Sequence, residues 1–454
     1  MNNSAKFNQN GEIVNDNFHI NWTKYLYAIK TCNCLYLEGK IINIIGLIAE
    51  AKGLGMCIGS LCTIENDFGN IIKAEVVGFK DDKILLMPYG DTRGIRSGSR
   101  VALISKSPKA DVGDKFLGRV IDGMGFPIDG KGEIEPSTKY SLYGTTTNPM
   151  ARRPIRNLLD VGIAAINAII PIGQGQRIAI MSGSGVGKSI LMGMMVRNTN
   201  ADVTVVGLVG ERGREVKDFV QHNLGEEGMK KAVVVAATSD SPALARMRGA
   251  YLATTLAEYF RDQGKNVLLI IDSITRFAMS SRDVGLAAGE PPTSRGYTPS
   301  FFAKIPVLLE RAGSIEGKGS ITGVYTVLVE GDDLNDPVGD TVRSILDGHI
   351  VLSRKLANKG HYPAIDVLES VSRVMSDIVD PEHLEIREKA INALATYKDA
   401  EDMISIGAYI DGSDPKIDYA KITVPKTYDF LRQSINSKVS YSSSLSQLKE
   451  IFKV

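Results

Sequence analysis

The stretch Ser-Gly-Ser-Gly-Val-Gly-Lys-Ser at residues 182–189 lies between an apolar segment typical of a buried strand and one typical of a helix start. In such a unit, glycines allow backbone N–H groups to turn towards a polyphosphate, and the helix adds the positive end of its dipole. Lys188 can reach the outer phosphates, and the Ser189 hydroxyl can ligate magnesium. The stretch therefore predicts a nucleotide site, with a cradle formed by Gly183, Ser184, Gly185, Val186, Gly187, Lys188 and Ser189.

The first position of this loop departs from the usual pattern G-x-x-x-x-G-K-[ST], because Ser182 stands where a glycine is expected. A glycine-rich turn with an incidental lysine is the alternative interpretation. The flanks argue against it, since residues 176–181 (Q-R-I-A-I-M) are typical of a short strand and residues 189–196 (S-I-L-M-G-M-M-V) of an apolar helix. A small residue at position 182 still permits a tight turn, so a nucleotide site is favoured.

The composition is that of a globular protein, with 43% hydrophobic and 23% charged residues in 454 positions. This length corresponds to about three domains. The 53 basic residues are balanced by 52 acidic ones, which argues against the general basic field of a nucleic-acid-binding protein. No apolar run approaches the ~18 residues of a membrane span, and the asparagine-rich start lacks a secretory signal, so a cytoplasmic protein is predicted.

Changes in composition along the chain predict four parts. Short segments rich in Ile, Val and Leu, separated by glycines, favour a small β-barrel before residue 105, whereas later segments alternate between strand and helix. The predicted parts are a flexible arm (1–21), an N-terminal helix with a β-barrel (22–104), an α/β nucleotide-binding domain with a doubly wound parallel sheet (105–378) and a C-terminal helical domain (379–454).

Several local features follow from the same patterns. Buried parallel strands are predicted at residues 203–209, 232–236 and 267–271, with a helix at 241–261 between two of them. Residues 117–132 are rich in turn-forming residues and predict a connection rather than a regular element.

The N-terminal helix is predicted from four apolar residues at helical spacing, Trp22, Tyr25, Leu26 and Ile29. Such a face suits docking on a partner or on a membrane surface. Packing against the helix's own domain is an equally good interpretation.

Two acidic residues follow predicted strands and are candidates for the chemistry. In an open parallel sheet, groups that face the ligand lie just past the carboxyl ends of the strands. Asp272 ends the run V-L-L-I-I-D and can hold magnesium through water, although a helix N-cap is the alternative role. Glu211 follows L-V-G and can polarise a water for attack on the γ-phosphate, although an ordinary exposed acid is the alternative.

The chain resembles the type III export ATPases, a family that includes flagellum-specific and virulence-secretion members and is similar to the β subunit of rotary ATP synthases. The resemblance covers nearly the whole chain from about residue 22. It is carried by M-S-G-S-G-V-G-K-S (181–189), G-E-R-G-R-E-V (210–216), I-I-D-S-I-T-R-F-A (270–278), G-E-P-P-T-S-R-G-Y-T-P-S (289–300), L-D-G-H-I-V-L-S-R (346–354) and H-Y-P-A-I-D-V-L-E-S-V-S-R (361–373).

The resemblance implies a RecA-like core and a set of roles. Lys188 and Ser189 match the phosphate and magnesium ligands, Asp272 matches the acid after the second strand, and Glu211 matches the carboxylate that activates water. Arg212 matches a neighbouring arginine that orders the site, Arg373 matches an arginine finger inserted into the adjacent subunit's site, and Tyr362 matches an aromatic ring near adenine. ATP and Mg²⁺ are the implied cofactors.

An arginine finger of this kind implies a homohexameric ring. The expected function is ATP hydrolysis at a flagellar export gate, with chaperone release and substrate unfolding, a regulator, a central stalk and peripheral contact at the inner face of the cell membrane. A virulence-secretion ATPase is the main alternative. A rotary catalytic subunit, a non-catalytic rotary subunit lacking the carboxylate of Glu211, and an RNA-translocating hexamer are less favoured, and no nucleic-acid partner is expected.

Overall fold

The computed structural model describes residues 22, 25–26, 38–53, 55–144, 147–329 and 336–452. Trp22, Tyr25 and Leu26 are helical, as predicted, and the side chains of Tyr25 and Leu26 are exposed. The rest of the predicted N-terminal helix, including Ile29, and the predicted arm at residues 1–21 lie outside the described residues.

The first domain is a closed barrel of six antiparallel strands in the order β1-β2-β5-β4-β3-β6, which confirms the predicted β-barrel. Its interior is filled by aliphatic side chains such as Ile41, Ile64 and Val76, and closure leaves no free sheet edge. Of its aromatic residues, Phe68 and Phe79 are exposed and Tyr89 is buried. The strands are Glu38–Ile45 (β1), Ile48–Lys52 (β2), Leu61–Glu65 (β3), Ile71–Lys80 (β4), Lys83–Pro88 (β5) and Arg100–Ser105 (β6).

The central domain is built on a sheet in the order β19-β18-β12-β17-β15-β13-β14-β8, in which β19 is antiparallel to β18 and the other neighbours on this path are parallel. The predicted strand at Val203–Val209 is buried along its whole length, as apolar runs in parallel sheets are. The strands are Val120–Asp122 (β8), Arg177–Ser182 (β12), Val203–Val209 (β13), Ala232–Ala237 (β14), Asn266–Asp272 (β15), Ser320–Leu328 (β17), Gly348–Leu352 (β18) and Ile365–Ser372 (β19).

Three further strand pairs lie outside this path. Lys109–Val112 (β7) pairs with Thr138–Ser141 (β9), Leu158–Leu159 (β10) pairs with Ile172–Gly173 (β11), and Gly313–Ser314 (β16) pairs with β17. The predicted connection at 117–132 is rich in turns, but it also contains β8, which extends the central sheet beside β14. Only three residues long and followed by the turn D-G-M-G, this strand is too short to give a periodic signal.

Helices cover both faces of the sheet, so that two large apolar clusters form. The predicted helix at 241–261 is the long helix α5, which packs against β13, β14 and β15. The helices of this domain are Ala164–Ile169 (α1), Lys188–Asn198 (α2), Gly213–Asp218 (α3), Gly225–Lys230 (α4), Ala243–Asp262 (α5), Ile274–Ala287 (α6), Pro299–Leu309 (α7), Pro337–Ile345 (α8), Arg354–Asn358 (α9) and Met375–Ile378 (α10). Short 3₁₀ turns lie at Asp114–Phe116, Pro149–Ala151 and Ser294–Gly296, and a π-helical turn at Phe219–Leu224.

The C-terminal part consists of the helices Pro381–Ser405 (α11), Pro415–Leu431 (α12) and Tyr441–Phe452 (α13), as predicted. Asp380 and Asp414 cap α11 and α12, each followed by a proline whose missing N–H costs nothing at this position. Gln433, which follows α12, links this part to the start of α1, since its side-chain amide donates to the carbonyl of Gly162 and accepts from the N–H of Ala164. Within the described ranges, the helices are all too short or too polar to span a bilayer.

Candidate nucleotide site

The loop at residues 183–187 joins the carboxyl end of β12 to α2. Gly185 and Gly187 have φ values of +78° and +92°. L-residues with a side chain rarely adopt such positive values. A Cβ atom on Gly187 would also lie 3.4 Å from the ring of Tyr362. The backbone path of this loop therefore favours glycine at both positions.

Ser182 occupies the position at which the sequence departs from the usual pattern. It is the last residue of β12, is paired with Leu328 and Leu352 on the flanking strands, and is almost fully buried. The φ angle of Ser182 is not positive, so its backbone is not in the left-handed region. The loop therefore does not need a glycine at this position.

Lys188, at the start of α2, lies between two carboxylates. Its ammonium donates to Oδ1 of Asp272 and lies 3.6 Å from Oε1 of Glu211. Burial opposes the positive charge of Lys188, but the two carboxylates outweigh burial and raise the pKa of Lys188. The structure thus brings together three residues that the sequence predicted separately, at the carboxyl ends of β12, β13 and β15.

Asp272 has a second partner that the sequence analysis missed. The hydroxyl of Thr326, fully buried in β17, donates to Oδ1 of Asp272 at 2.6 Å. Asp272 is itself only 2% exposed. The N-cap of α6 is Ser273, whose side chain accepts from the N–H of Arg276, so Asp272 is not the cap of that helix. A hydroxyl within the apolar run S-I-T-G-V-Y-T-V-L was the available signal for Thr326.

Glu211 is held in a partly buried position with an altered proton affinity. Burial, the negative charge of Asp272 and hydrogen bonding with Glu215 raise the pKa of Glu211 to about 7, against the opposing effect of Lys188. Near neutral pH this carboxyl therefore exists in both protonation states. A group with that property can accept a proton from a bound water.

Arg212 and Tyr362 lie at the margin of this cluster. Arg212 is 82% exposed and points to Glu215, with 3.7 Å between Nη1 and Oε1, so the structure does not bring it to Lys188 or Asp272. Tyr362 is 43% exposed and its ring lies against Gly187. The N–H of Gln433 donates to the carbonyl of Tyr362, which links this residue to the C-terminal part.

Ser189 follows Lys188 at the start of α2. Ser189 is exposed in the first turn of α2, and its carbonyl accepts a bond from Asn223. Among the residues that the structure describes, no group of three or more His, Cys, Asp or Glu side chains is arranged to hold a metal. The described side chains alone therefore do not form a complete metal cage.

Arg373 lies at the other edge of the sheet. Strand β18 runs from Gly348 to Leu352, and Leu352 lies beside Ser182 at the phosphate loop. Ser372, which precedes Arg373, pairs with Gly348 at the opposite end of β18. Gly348 and Leu352 are four positions apart along β18, which corresponds to a distance of about 13 Å. The structure therefore does not bring Arg373 to the Lys188 cluster.

The exposed side chain of Arg373 is directed along this opposite edge. Its guanidinium donates to the backbone carbonyls of Leu346 and Arg343, both at 3.3 Å. Below, the term amino edge means the group formed by Arg177, Asp347 and Arg373. The carboxyl edge is the cluster of Lys188, Glu211, Asp272 and Thr326.

Three family models match this chain. Residues 162–372 match the nucleotide-binding domain of the ATP synthase alpha/beta family, residues 41–103 match the beta-barrel domain of that family, and residues 379–450 match the T3SS EscN ATPase C-terminal domain.

Several similar proteins match this chain over almost their full length. The "Flagellum-specific ATP synthase" of Bacillus subtilis is 51% identical and that of Salmonella typhimurium 47%, with 91% of this chain covered in both and 94% and 93% of the relatives. The "Type 3 secretion system ATPase" of Xanthomonas euvesicatoria is 44% identical, covering 91% of this chain and 93% of that protein.

Solved structures give the same result. The assembled ATPase EscN of the enteropathogenic E. coli type III secretion system superposes with a TM-score of 0.87 at 45% identity, over 91% of this chain and 99% of that one. EscN in complex with its central stalk EscO gives a TM-score of 0.85 at 44% identity, with the same coverage. With its RecA-like nucleotide-binding core, this chain belongs to the family of type III export ATPases and is an ATP-hydrolysing enzyme of protein export.

Proposed function

We propose that the chain hydrolyses ATP at a seam between two copies of itself, where one copy supplies the carboxyl edge and the next supplies Arg373. The observation that carries this proposal is the separation of the two edges within one chain. Arg373 extends from the end of the sheet opposite the phosphate loop and is exposed. A side chain in that position can serve a phosphate only in a neighbouring copy.

The cradle of the proposed site is the loop at residues 183–189. The backbone N–H groups of Gly183, Ser184, Gly185, Val186 and Gly187 would surround the phosphates, and the start of α2 favours negative charge. The ammonium of Lys188 is paired with the carboxylates of Asp272 and Glu211. On nucleotide binding, its ammonium would turn to the outer phosphates and leave both carboxylates.

Ser189 and Asp272 are the residues proposed to hold Mg²⁺. A hydroxyl and a carboxylate offer the oxygen ligands that Mg²⁺ prefers, and this ion commonly completes its shell with water and substrate phosphates rather than with a protein cage. When bound, the ion would neutralise charge on the phosphates. Departure of Lys188 frees Asp272 for this role, while Thr326 continues to hold its Oδ1 oxygen.

Glu211 is proposed to orient the attacking water and accept its proton. Its pKa, raised to about 7 by burial and by Asp272, suits proton transfer near neutral pH. Arg212 would order this residue through Glu215, since it lies 3.7 Å from the carboxylate that bonds to Glu211. Tyr362 would contact the adenine, a role supported by its half-exposed ring beside the loop.

The seam implies an assembly in which each copy completes its neighbour's site. We propose a homohexameric ring that binds a central stalk, a regulator, and export chaperones with their substrates, located in the cytoplasm with peripheral contact at the inner face of the cell membrane. The assembled EscN structure and its complex with a central stalk support the ring and the stalk.

We also propose domain boundaries near residues 104 and 378.

A flagellar role is preferred to a virulence role. Several of the similar relatives carry the flagellum-specific name, at 44% to 51% identity. Co-purification with flagellar rather than needle-complex components tests this preference.

The seam itself is tested by mixing two inactive variants. Lys188→Ala removes the cradle lysine, and Arg373→Ala removes the finger. Each variant alone should lose about 10³-fold or more in ATP turnover. A mixture should regain activity, because some seams combine an intact Lys188 with an intact Arg373. As a control, Arg93→Ala, an exposed barrel arginine, should behave as wild type. Mixed assemblies that stay inactive, although they form rings, would overturn the proposal.

A further inference from the structure

We infer that Arg177 and Asp347 are positioning residues that hold Arg373 in place for the neighbouring copy, an inference that rests on the function proposed above. The backbone N–H of Arg373 donates to the carbonyl of Asp347 at 2.9 Å. Its guanidinium donates to the carbonyl of Leu346, the residue before Asp347. The orientation of Arg373 thus depends on the backbone of residues 346–347.

The backbone at Asp347 is fixed by the start of β12. The N–H of Asp347 donates to the carbonyl of Arg177 at 2.8 Å, and the side-chain amide of Gln176 donates to the carbonyl of Asp347 at 3.0 Å. The same amide reaches the hydroxyl of Ser372 at 3.1 Å, directly before Arg373. Strand β12 therefore carries the phosphate loop at one end and the support of Arg373 at the other.

The side chain of Asp347 is held by Arg177 alone among the described residues. Its Oδ2 accepts from the N–H and the Nε of Arg177 at 3.1 and 3.2 Å, and its Oδ1 accepts from Nη2 at 3.2 Å. The Nη1 of Arg177 reaches the carboxylate of Glu310. Burial disfavours the charge on Arg177, but Asp347 and Glu310 outweigh burial and raise the pKa of Arg177.

This arrangement points to function because a finger must be placed accurately. An error of about 1 Å in the position of a catalytic group can cost about 100-fold in rate. The planar guanidinium of Arg177 donates two bonds to the carboxylate of Asp347, one to each oxygen, which fixes its orientation better than a single flexible contact would. Arg177 touches no group of the carboxyl edge, so its loss should leave the cradle intact.

The test compares Arg177→Gln with Arg152→Gln. Arg152 also binds Glu310, at 2.8 Å, but its hydrogen bonds go to Glu310 and Ala312 and none goes to Asp347. We expect Arg177→Gln to lower kcat by about 10- to 100-fold. The binding of a fluorescent ATP analogue should remain within a factor of about two. Arg152→Gln should keep kcat near the wild-type value. An equal loss in both variants would indicate a general packing effect and overturn the inference.

Mixing experiments assign the defect to one side of the seam. Arg177→Gln has an intact cradle, so Lys188→Ala should rescue it, whereas Arg373→Ala should not. Asp347→Asn, a smaller change, should show a weaker defect with the same pattern and serves if Arg177→Gln fails to fold. Rescue by Arg373→Ala, or wild-type turnover in Arg177→Gln, would overturn the inference.

The outcome for Arg373→Ala separates the two proposals. Full turnover in Arg373→Ala would overturn the seam, and the inference with it. A loss in Arg373→Ala together with wild-type turnover in Arg177→Gln would overturn the positioning role alone.

Discussion

The two edges of the central sheet hold their charged groups in different ways. At the carboxyl edge, one ammonium, that of Lys188, is shared by Asp272 and Glu211, and the pKa of Glu211 is raised to about 7. At the amino edge, Asp347 has a partner for its N–H, its carbonyl and both carboxylate oxygens. The two bonds of Lys188 compete with each other and can be exchanged for bonds to an anion. The polar groups of Asp347, in contrast, are all bonded within the protein.

This difference indicates how one domain can serve two sites. A cradle must exchange its internal bonds for bonds to phosphate, so bonds that compete with each other are useful there. A finger that acts in a neighbouring copy gains from rigidity, because no ligand of its own chain orients it. Substitutions at the carboxyl edge should therefore change proton transfer or the binding of ligands, according to the residue, and those at the amino edge should change turnover alone.

Among the further substitutions that test this comparison, the largest effect is expected for Glu211→Gln. This change keeps the size of the side chain but removes the proton acceptor, so turnover should fall by about 10²- to 10⁴-fold. Nucleotide binding should persist, because the cradle and Lys188 remain. ATP hydrolysis and binding of an ATP analogue, measured on the same preparation, check this prediction.

The control for Glu211→Gln is Glu226→Gln, an exposed acid in α4, which should leave hydrolysis unchanged. Equal turnover in Glu211→Gln and wild type would indicate a nucleotide-binding subunit without catalytic function, and the carboxyl edge would then differ from the amino edge in affinity only.

Whether a structural feature could be predicted from the sequence depends on how far apart along the chain the residues that form it lie. The strand at Val203–Val209 was predicted with the bounds observed, because a continuous apolar run between polar residues is a local signal. The meeting of Lys188, Glu211 and Asp272 was also predictable, since the carboxyl ends of parallel strands converge. The fold class could be inferred from these features and from the resemblance.

Other features depend on partners remote in sequence. Thr326 lies 54 residues from Asp272, and its hydroxyl gives no pattern in an apolar strand. Arg212 directly follows Glu211 but is turned to solvent, because the chain enters α3 at that point. The separation of Arg373 from the phosphate loop required the antiparallel register of β19, which a sequence pattern does not specify.

The next effect in size is the pH dependence of the carboxyl edge. If Glu211 must be ionised, kcat/KM should rise about tenfold per pH unit below about 7 and level off above it, because kcat/KM reports the free enzyme. Stability should change in the opposite sense. The folded protein binds this proton more tightly than the unfolded chain, so stability should decrease as pH rises from 4.5, the ordinary pKa of a glutamate, to about 7, the raised pKa of Glu211.

Rate and unfolding measurements across this pH range, with Glu211→Gln as the comparison, check both parts. The variant should lack the pH-dependent loss of stability. A wild-type rate that stays constant between about pH 5 and 8 would contradict the assignment of Glu211 as the proton acceptor.

The smallest effect is expected for Thr326→Val, which removes a hydroxyl without changing the shape of the side chain. Among the described residues, Oδ1 of Asp272 would then keep only Lys188 as a partner, and it would lose that partner when Lys188 turns to the phosphates. A buried carboxylate without its donor is misoriented or destabilised. The Mg²⁺ concentration for half-maximal hydrolysis should therefore increase by about tenfold, as for other residues that support a metal ligand.

Thr326→Ser retains the hydroxyl and should restore the wild-type Mg²⁺ requirement, whereas a general packing defect would affect Ser and Val alike. The amino edge gives the contrasting case, since Arg177→Gln should lower kcat without changing the Mg²⁺ requirement. If Thr326→Val altered kcat alone, the Thr326–Asp272 bond would serve rigidity rather than metal binding. The carboxyl edge would then resemble the amino edge more closely than its shared ammonium suggests.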